Sequence, residues 1–100
     1  MSNFFQFTME HVRLTALRVL AQAPAYRAND SVLSQAIEAL GLPCTRDQLR
    51  GQLAWLEEQG LVHLEHPTPT LTVAIATERG CDVAHGRAIQ PGVQRPSPGV

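Results

Sequence analysis

Two arginines, Arg46 and Arg50, stand one helical turn apart in the stretch TRDQLRGQLAWLEEQGLV. A guanidinium is a planar fork of donors, suited to a phosphate or to the major-groove edge of a guanine. Residues four apart lie on the same side of a helix, so the pair could grip one nucleic-acid backbone. Gly51 and Ala54 beside them are small enough for close approach to a groove. Thr45 opens the helix, and a helix N-terminus favours an anion. Thr45, Arg46, Asp47, Arg50, Gly51 and Ala54 are therefore the candidate contacts to double-stranded DNA.

Charge runs against this assignment. Between residues 46 and 59 the two arginines meet Asp47, Glu57 and Glu58, a local balance of −1, and the chain as a whole carries a net charge of −1. All 8 basic residues are arginine, and they are scattered. A strong independent DNA binder shows a broad basic face. Two arginines in one copy make few phosphate contacts, so binding would be weak and steeply salt-dependent. A homodimer would double the contacts and set a half-site spacing. The expected hairpin that follows is no help, because Leu61 to Thr77 contains no arginine or lysine.

Other chemistry is sparse. His11, His63, His66 and His85 are scattered, and on a strand His63 and His66 would point to opposite faces. Cys44 and Cys81 form no CxxC, and free thiols are expected of both in a reducing compartment. No metal-ligand spacing rule is met, so no metal is expected. There is no GxSxG, P-loop or HExxH, and no nucleophile with an evident base. The expectation is a protein that is not an enzyme, with no cofactor and no small-molecule ligand.

A second interface candidate lies at the start of the chain. Phe4, Phe5 and Phe7 are three of only five aromatic residues. They either cover the domain's own core or form a partner interface, as exposed aromatic patches do. Trp55 lies off the leucine stripe of its helix and is expected to pack against another part of the domain or a second subunit.

Three helices and a hairpin must position these groups. Met9, Val12, Ala16, Leu17 and Leu20 trace a helical stripe from Thr8, its expected N-cap, to Ala23, with Pro24 as the stop. Tyr26 to Asp30 is a short connection with room for a strand of one or two residues. Asn29 or Asp30 can cap a second helix over Ser31–Leu40, which buries Leu33, Ala36, Ile37 and Leu40 and ends at Gly41. The third helix buries Leu49, Leu53 and Leu56. It opens on a Thr45–Gln48 capping box and closes at Gly60. Leu61 to Ala76 then reads as a hairpin around Pro67–Thr70, with Leu71, Val73 and Ile75 on its apolar face. Thr77 can cap a last helix from Glu78 to about Gly86, with Val83 and Ala84 inward. The domain is expected over 1–87, and a Pro/Gly-rich tail without regular structure over 88–100.

This layout is α+β: a winged helix-turn-helix with three core helices, a two-stranded β-wing and a short C-terminal helix. In that architecture the third helix enters the major groove. No apolar run approaches the roughly 18 residues of a membrane span, and the start lacks the features of a signal peptide. A cytoplasmic location in a bacterial host is expected. The segments LTALRVLAQAPAYRANDSVL, LGLPCTRDQLRGQLAWLEEQGLV and ATERGCDVAHGR, followed by PGVQRPSP, carry a family resemblance. In their order and spacing the chain resembles the small winged-helix proteins of Mu-like transposable phages and prophages. Its core resembles the ArsR and MarR repressors. It departs from the metal-sensing repressors because Gly80-Cys81-Asp82-Val83 lacks their second cysteine. The resemblance implies a DNA-binding transcriptional regulator. The alternative, favoured by the charge balance, is a non-catalytic protein-interaction module in phage assembly or DNA packaging, with a phage protein as partner.

Overall fold

The computed structural model describes residues 3–97. Residues 1–2 and 98–100, which belong to the expected domain and tail, lie outside them. The fold is α+β, with four α-helices and one three-stranded antiparallel sheet. In chain order it runs α1 (Asn3–Gln22), a 3-10 turn (Pro24–Tyr26), β1 (Arg27–Asn29), α2 (Asp30–Ala39), α3 (Arg46–Glu58), β2 (Val62–Thr68), β3 (Leu71–Ala76) and α4 (Glu78–Ala84). Among the described residues no helix is long and apolar enough to cross a membrane.

The helix ends follow from local chemistry. Asn29 caps α2 by accepting from the Val32 amide at 2.9 Å. Thr45 and Gln48 form a reciprocal capping box on α3, with hydrogen bonds of 3.1 and 2.9 Å. Thr77 caps α4 through the Gly80 amide. Gly60, at φ +77°, takes the left-handed conformation that closes α3 and lets Leu61 turn inward. The helix stripes meet in one core made from Met9, Val12, Leu17 and Leu20 of α1, Leu33 and Ile37 of α2, and Leu49, Leu53 and Leu56 of α3.

The structure corrects four expectations. First, α1 begins at Asn3, not Thr8. The Thr8 hydroxyl donates back to the Phe4 carbonyl at 3.0 Å instead of capping, so the three phenylalanines ride on a helix. Second, the strand in the connection after α1 has three residues and joins the hairpin in one sheet, where two strands were expected. β1 pairs with β3, which becomes the middle of the order β1-β3-β2. Third, the buried face of β3 is Thr72, Ala74 and Ala76, while Leu71, Val73 and Ile75 are only half-buried. A middle strand is flanked by neighbours on both edges and can be covered on both faces. Small side chains then suit the face against which helices approach closely, so alternation of size alone points the wrong way. Fourth, Leu40 is exposed, because it lies at the C-cap of α2, beyond the last buried turn.

The edge strand β2 is blunted. Its Leu64 amide donates to the Glu57 carboxylate at 2.9 Å, and its pairing is irregular between Glu65 and Thr68, where Pro67 sits. Such features discourage edge-to-edge pairing with another sheet. Gly80 marks the closest approach in the fold, since a Cβ there would collide with the backbone carbonyl of Leu61. Gly80→Ala should therefore cost about 1–3 kcal/mol as an overpacked site, and chemical denaturation of the variant against wild type measures it.

Candidate functional site

Arg46 and Arg50 do not reach outward together. Both turn back across the start of α2 to a single carboxylate. Arg46 Nη2 lies 3.2 Å from Asp30 Oδ1, and Arg50 Nε lies 2.9 Å from Asp30 Oδ2. Arg50 Nη2 also donates to the Thr70 carbonyl at the hairpin tip, at 2.6 Å. The Asp30 side chain is 0% exposed, while those of Arg46 and Arg50 are 43% and 35% exposed. Burial alone would raise the Asp30 carboxyl; the hydrogen bonds and charges of Arg50 and Arg46 outweigh it and hold the group below the usual carboxylate range. Asp47, almost fully exposed, lies 3.9 Å from Arg50. The two arginines are thus balanced by two carboxylates, and three elements, α2, α3 and the β2–β3 turn, are tied at one point.

The other candidate contacts on α3 stay exposed. Thr45, Asp47, Gly51 and Ala54 all face solvent, and no Cβ added at Gly51 would touch a neighbour. The outward face of α3 therefore presents small and acidic groups, with no cation free of an intramolecular partner. Sequence reasoning missed Asp30 as part of this cluster and treated it only as a cap candidate. Its signal was available: an acid in the first turn of α2, one helix before two arginines spaced to share it.

Three arginines elsewhere are also engaged. Arg27 pairs with Glu65 at 2.7 Å across the sheet, and Arg87 with Asp82 at 3.0 Å. Arg13 lies 4.2 Å over the Trp55 ring and donates to Gln52 and to the Gly92 carbonyl, each at 2.7 Å. Trp55 thus packs within the domain, between Arg13 and the segment after α4. Desolvation there pushes the Arg13 guanidinium down from its usual value, partly offset by Glu10.

The phenylalanines build a second feature. Phe4, Phe5 and Phe7 are 79%, 50% and 55% exposed. Phe4 and Phe5 form one wall of a groove of about 410 Å³, closed by Thr8 and, on the opposite side, by Pro43, Cys44, Thr45 and Gln48. Phe7 meets His11 edge-on, with ring centroids 5.2 Å apart. Burial pushes the Cys44 thiol up, so it is held protonated at neutral pH. Among the described residues, the groove lining contains no carboxylate, guanidinium or imidazole. Among the described residues, no three histidine, cysteine or acidic side chains converge as metal ligands.

The chain is 44% identical over 89 residues to the uncharacterized protein gp26 of Escherichia phage Mu, spanning 89% of this chain and 91% of that one. It belongs to the gp26 family of Mu-like phages. An uncharacterized protein of Haemophilus influenzae (strain ATCC 51907 / DSM 11121 / KW20 / Rd) is 38% identical over 77 residues, 77% of this chain and 74% of that protein. No family model matches the sequence, and no solved structure matches it.

Proposed function

We propose that this gp26-family chain is a non-catalytic protein-docking domain of a Mu-like phage, acting in assembly or DNA packaging. The observation that carries this reading is the closure of Arg46 and Arg50 onto buried Asp30. It pairs the only two cations of α3 with a buried carboxylate although both stay partly exposed, and the hairpin supplies no further cation. What remains conspicuously exposed is apolar: three aromatic rings on the first turns of α1, beside an uncharged groove. A contiguous apolar patch on a small domain marks an interaction surface more often than an accident of folding.

A second reading keeps the DNA-binding regulator. It is favoured by the element order, since α2, α3 and the β2–β3 hairpin follow one another as in a winged helix-turn-helix, with α3 in the position that enters the major groove. One pair of measurements separates the two. Tagged full-length chain, cross-linked in lysate from an induced lysogen, should capture a phage structural or packaging protein, and Phe4→Glu/Phe5→Glu should lower that capture about tenfold. Fluorescence anisotropy at low salt should show duplex affinity no better than the non-specific range of about 10⁻⁴–10⁻⁶ M, unchanged by Arg46→Ala/Arg50→Ala. Tight duplex binding that those two alanines abolish would establish the regulator instead.

A further inference from the structure

We infer that the strap after α4 has two seats. The turn Pro91-Gly92-Val93 fills a slot on α1 and α3, and the repeated tripeptide Pro98-Gly99-Val100 is that slot's second occupant, exchanging with the first within one chain. The inference is independent of the aromatic groove on the first turns of α1.

The slot is defined by what sits in it. The Val93 amide donates to the Gln90 carbonyl at 3.0 Å, and Gly92 has φ +95°. With Pro91 ahead of the glycine these are the marks of a type II turn, in which proline presets the first corner and glycine takes the positive φ of the second. The turn lays the Gly92 backbone against Trp55 and buries Val93 in the core. Arg13, stacked on the Trp55 ring, donates to the Gly92 carbonyl at 2.7 Å, and the Gln94 amide donates to the Glu10 carbonyl at 3.2 Å. These contacts use the backbone and the valine side chain. The slot therefore reads a Pro-Gly-Val turn rather than the side chains around it, although Gln90 adds bonds to Gln59 and Arg79.

The sequence supplies that turn twice. Of the 7 prolines, two precede a glycine, Pro91 and Pro98, and in both places the next residue is valine. The residue ahead is polar in both, Gln90 and Ser97. Any residue there offers the carbonyl acceptor that the turn needs.

Loop length ranks the two seats. Ala88 is pinned through its amide to the Asp82 carbonyl at 3.3 Å. Three residues lie between Ala88 and Gly92, and ten between Ala88 and Gly99. The chance of closing a loop falls as the three-halves power of its length, which disfavours the second seat by roughly sixfold. Loss of the Gln90 bonds disfavours it further. The first seat is thus the resting state and the second a minor one. Exchange frees residues 88–97 as a loop while the slot over the core stays filled.

Trp55 is the only tryptophan, and its emission reports the slot. Val93→Asp denies the first seat, since a carboxylate placed in the core is left without solvent or partner. In the full chain this variant should keep most of the wild-type emission, because Val100 takes the slot. Val100→Asp alone should change nothing. Val93→Asp/Val100→Asp should shift the emission to the red and raise its quenching by acrylamide several-fold. Where circular dichroism finds Val93→Asp unfolded, Val93→Ala carries the same comparison through Tm. Val100→Ala should then lower Tm further in the Val93→Ala background and leave it unchanged in the wild type. Equal readings for the single and double variants overturn the inference, because the slot then has one occupant. An unshifted Val93→Asp emission that turns red on dilution from about 100 to about 1 µM overturns it too, by seating the tail of a second copy instead.

Discussion

Asp30→Asn should lower the unfolding free energy by about 2–3 kcal/mol and make the protein stickier for polyanions. Asparagine keeps the shape of the side chain but removes the charge that two guanidiniums share. Loss of a buried partner costs about 3–5 kcal/mol where the orphaned charge stays buried. Here Arg46 and Arg50 are more than a third exposed and can take up water, which trims the penalty. The same substitution loosens Arg50, whose other bond holds the Thr70 carbonyl at the hairpin tip. Freed, the two arginines should bind duplex DNA several-fold more tightly than wild type at low salt, with a steeper salt dependence. Equilibrium denaturation and anisotropy on one preparation check both halves. A variant as stable as wild type would show that the Asp30 cluster is not a structural tie.

The pH dependence follows with a definite sign. The folded Asp30 carboxyl is held below its ordinary value. A carboxyl depressed in the folded state contributes stability that is complete above the ordinary carboxylate range. That contribution is lost as pH falls through this range toward the folded value. Wild type should therefore lose stability on acidification in that window, and Asp30→Asn should show a flatter profile there.

The legible parts of this fold were those written in local chemistry. The capping box at Thr45 and Gln48, the stop at Gly60 and the leucine triplet of α3 each depend on residues within one or two turns. The stripe of α1 was equally plain, but its start was not. A threonine with good capping chemistry concealed a helix that begins five residues earlier, because helical phenylalanines and a back-bonded hydroxyl leave no break in the pattern. The face of β3 was misread for a non-local reason: whether a strand is an edge or a middle depends on β1, which lies more than forty residues away. The arginines show the same limit. Their spacing on α3 was visible, whereas their direction was set by Asp30, 16 and 20 residues upstream. A side chain's position on a helix face can be read from its period. Its partner on another helix cannot.

Deleting residues 88–100 should destabilise the domain by about 2–4 kcal/mol, although composition alone marks the segment as an unstructured tail. Among the described residues, 85–97 form no helix or strand, yet Val93 is buried in the core with Leu17 and Val83. The boundary at residue 87 is therefore one of composition and not of packing. Removing Val93 exposes apolar surface worth about 1.5–3 kcal/mol. It also takes the Gly92 carbonyl from Arg13 and the Gln94 amide from the Glu10 carbonyl. Gly92, at φ +95°, lets the backbone pass against the Trp55 ring; a Cβ there would stand 2.8 Å from Trp55 Cη2. The chain entropy regained by the released segment offsets part of the gain from its docking, which is why the expected loss is a few kcal/mol rather than the sum of its contacts. For a domain of this size, roughly 4–8 °C per kcal/mol puts the fall in Tm at about 8–32 °C. Trp55 is the only tryptophan, so its emission should shift to the red as the segment leaves, and Gly92→Val in the full chain should reproduce part of that shift. A truncated chain with wild-type Tm and emission would show that the segment rests on the domain without holding it.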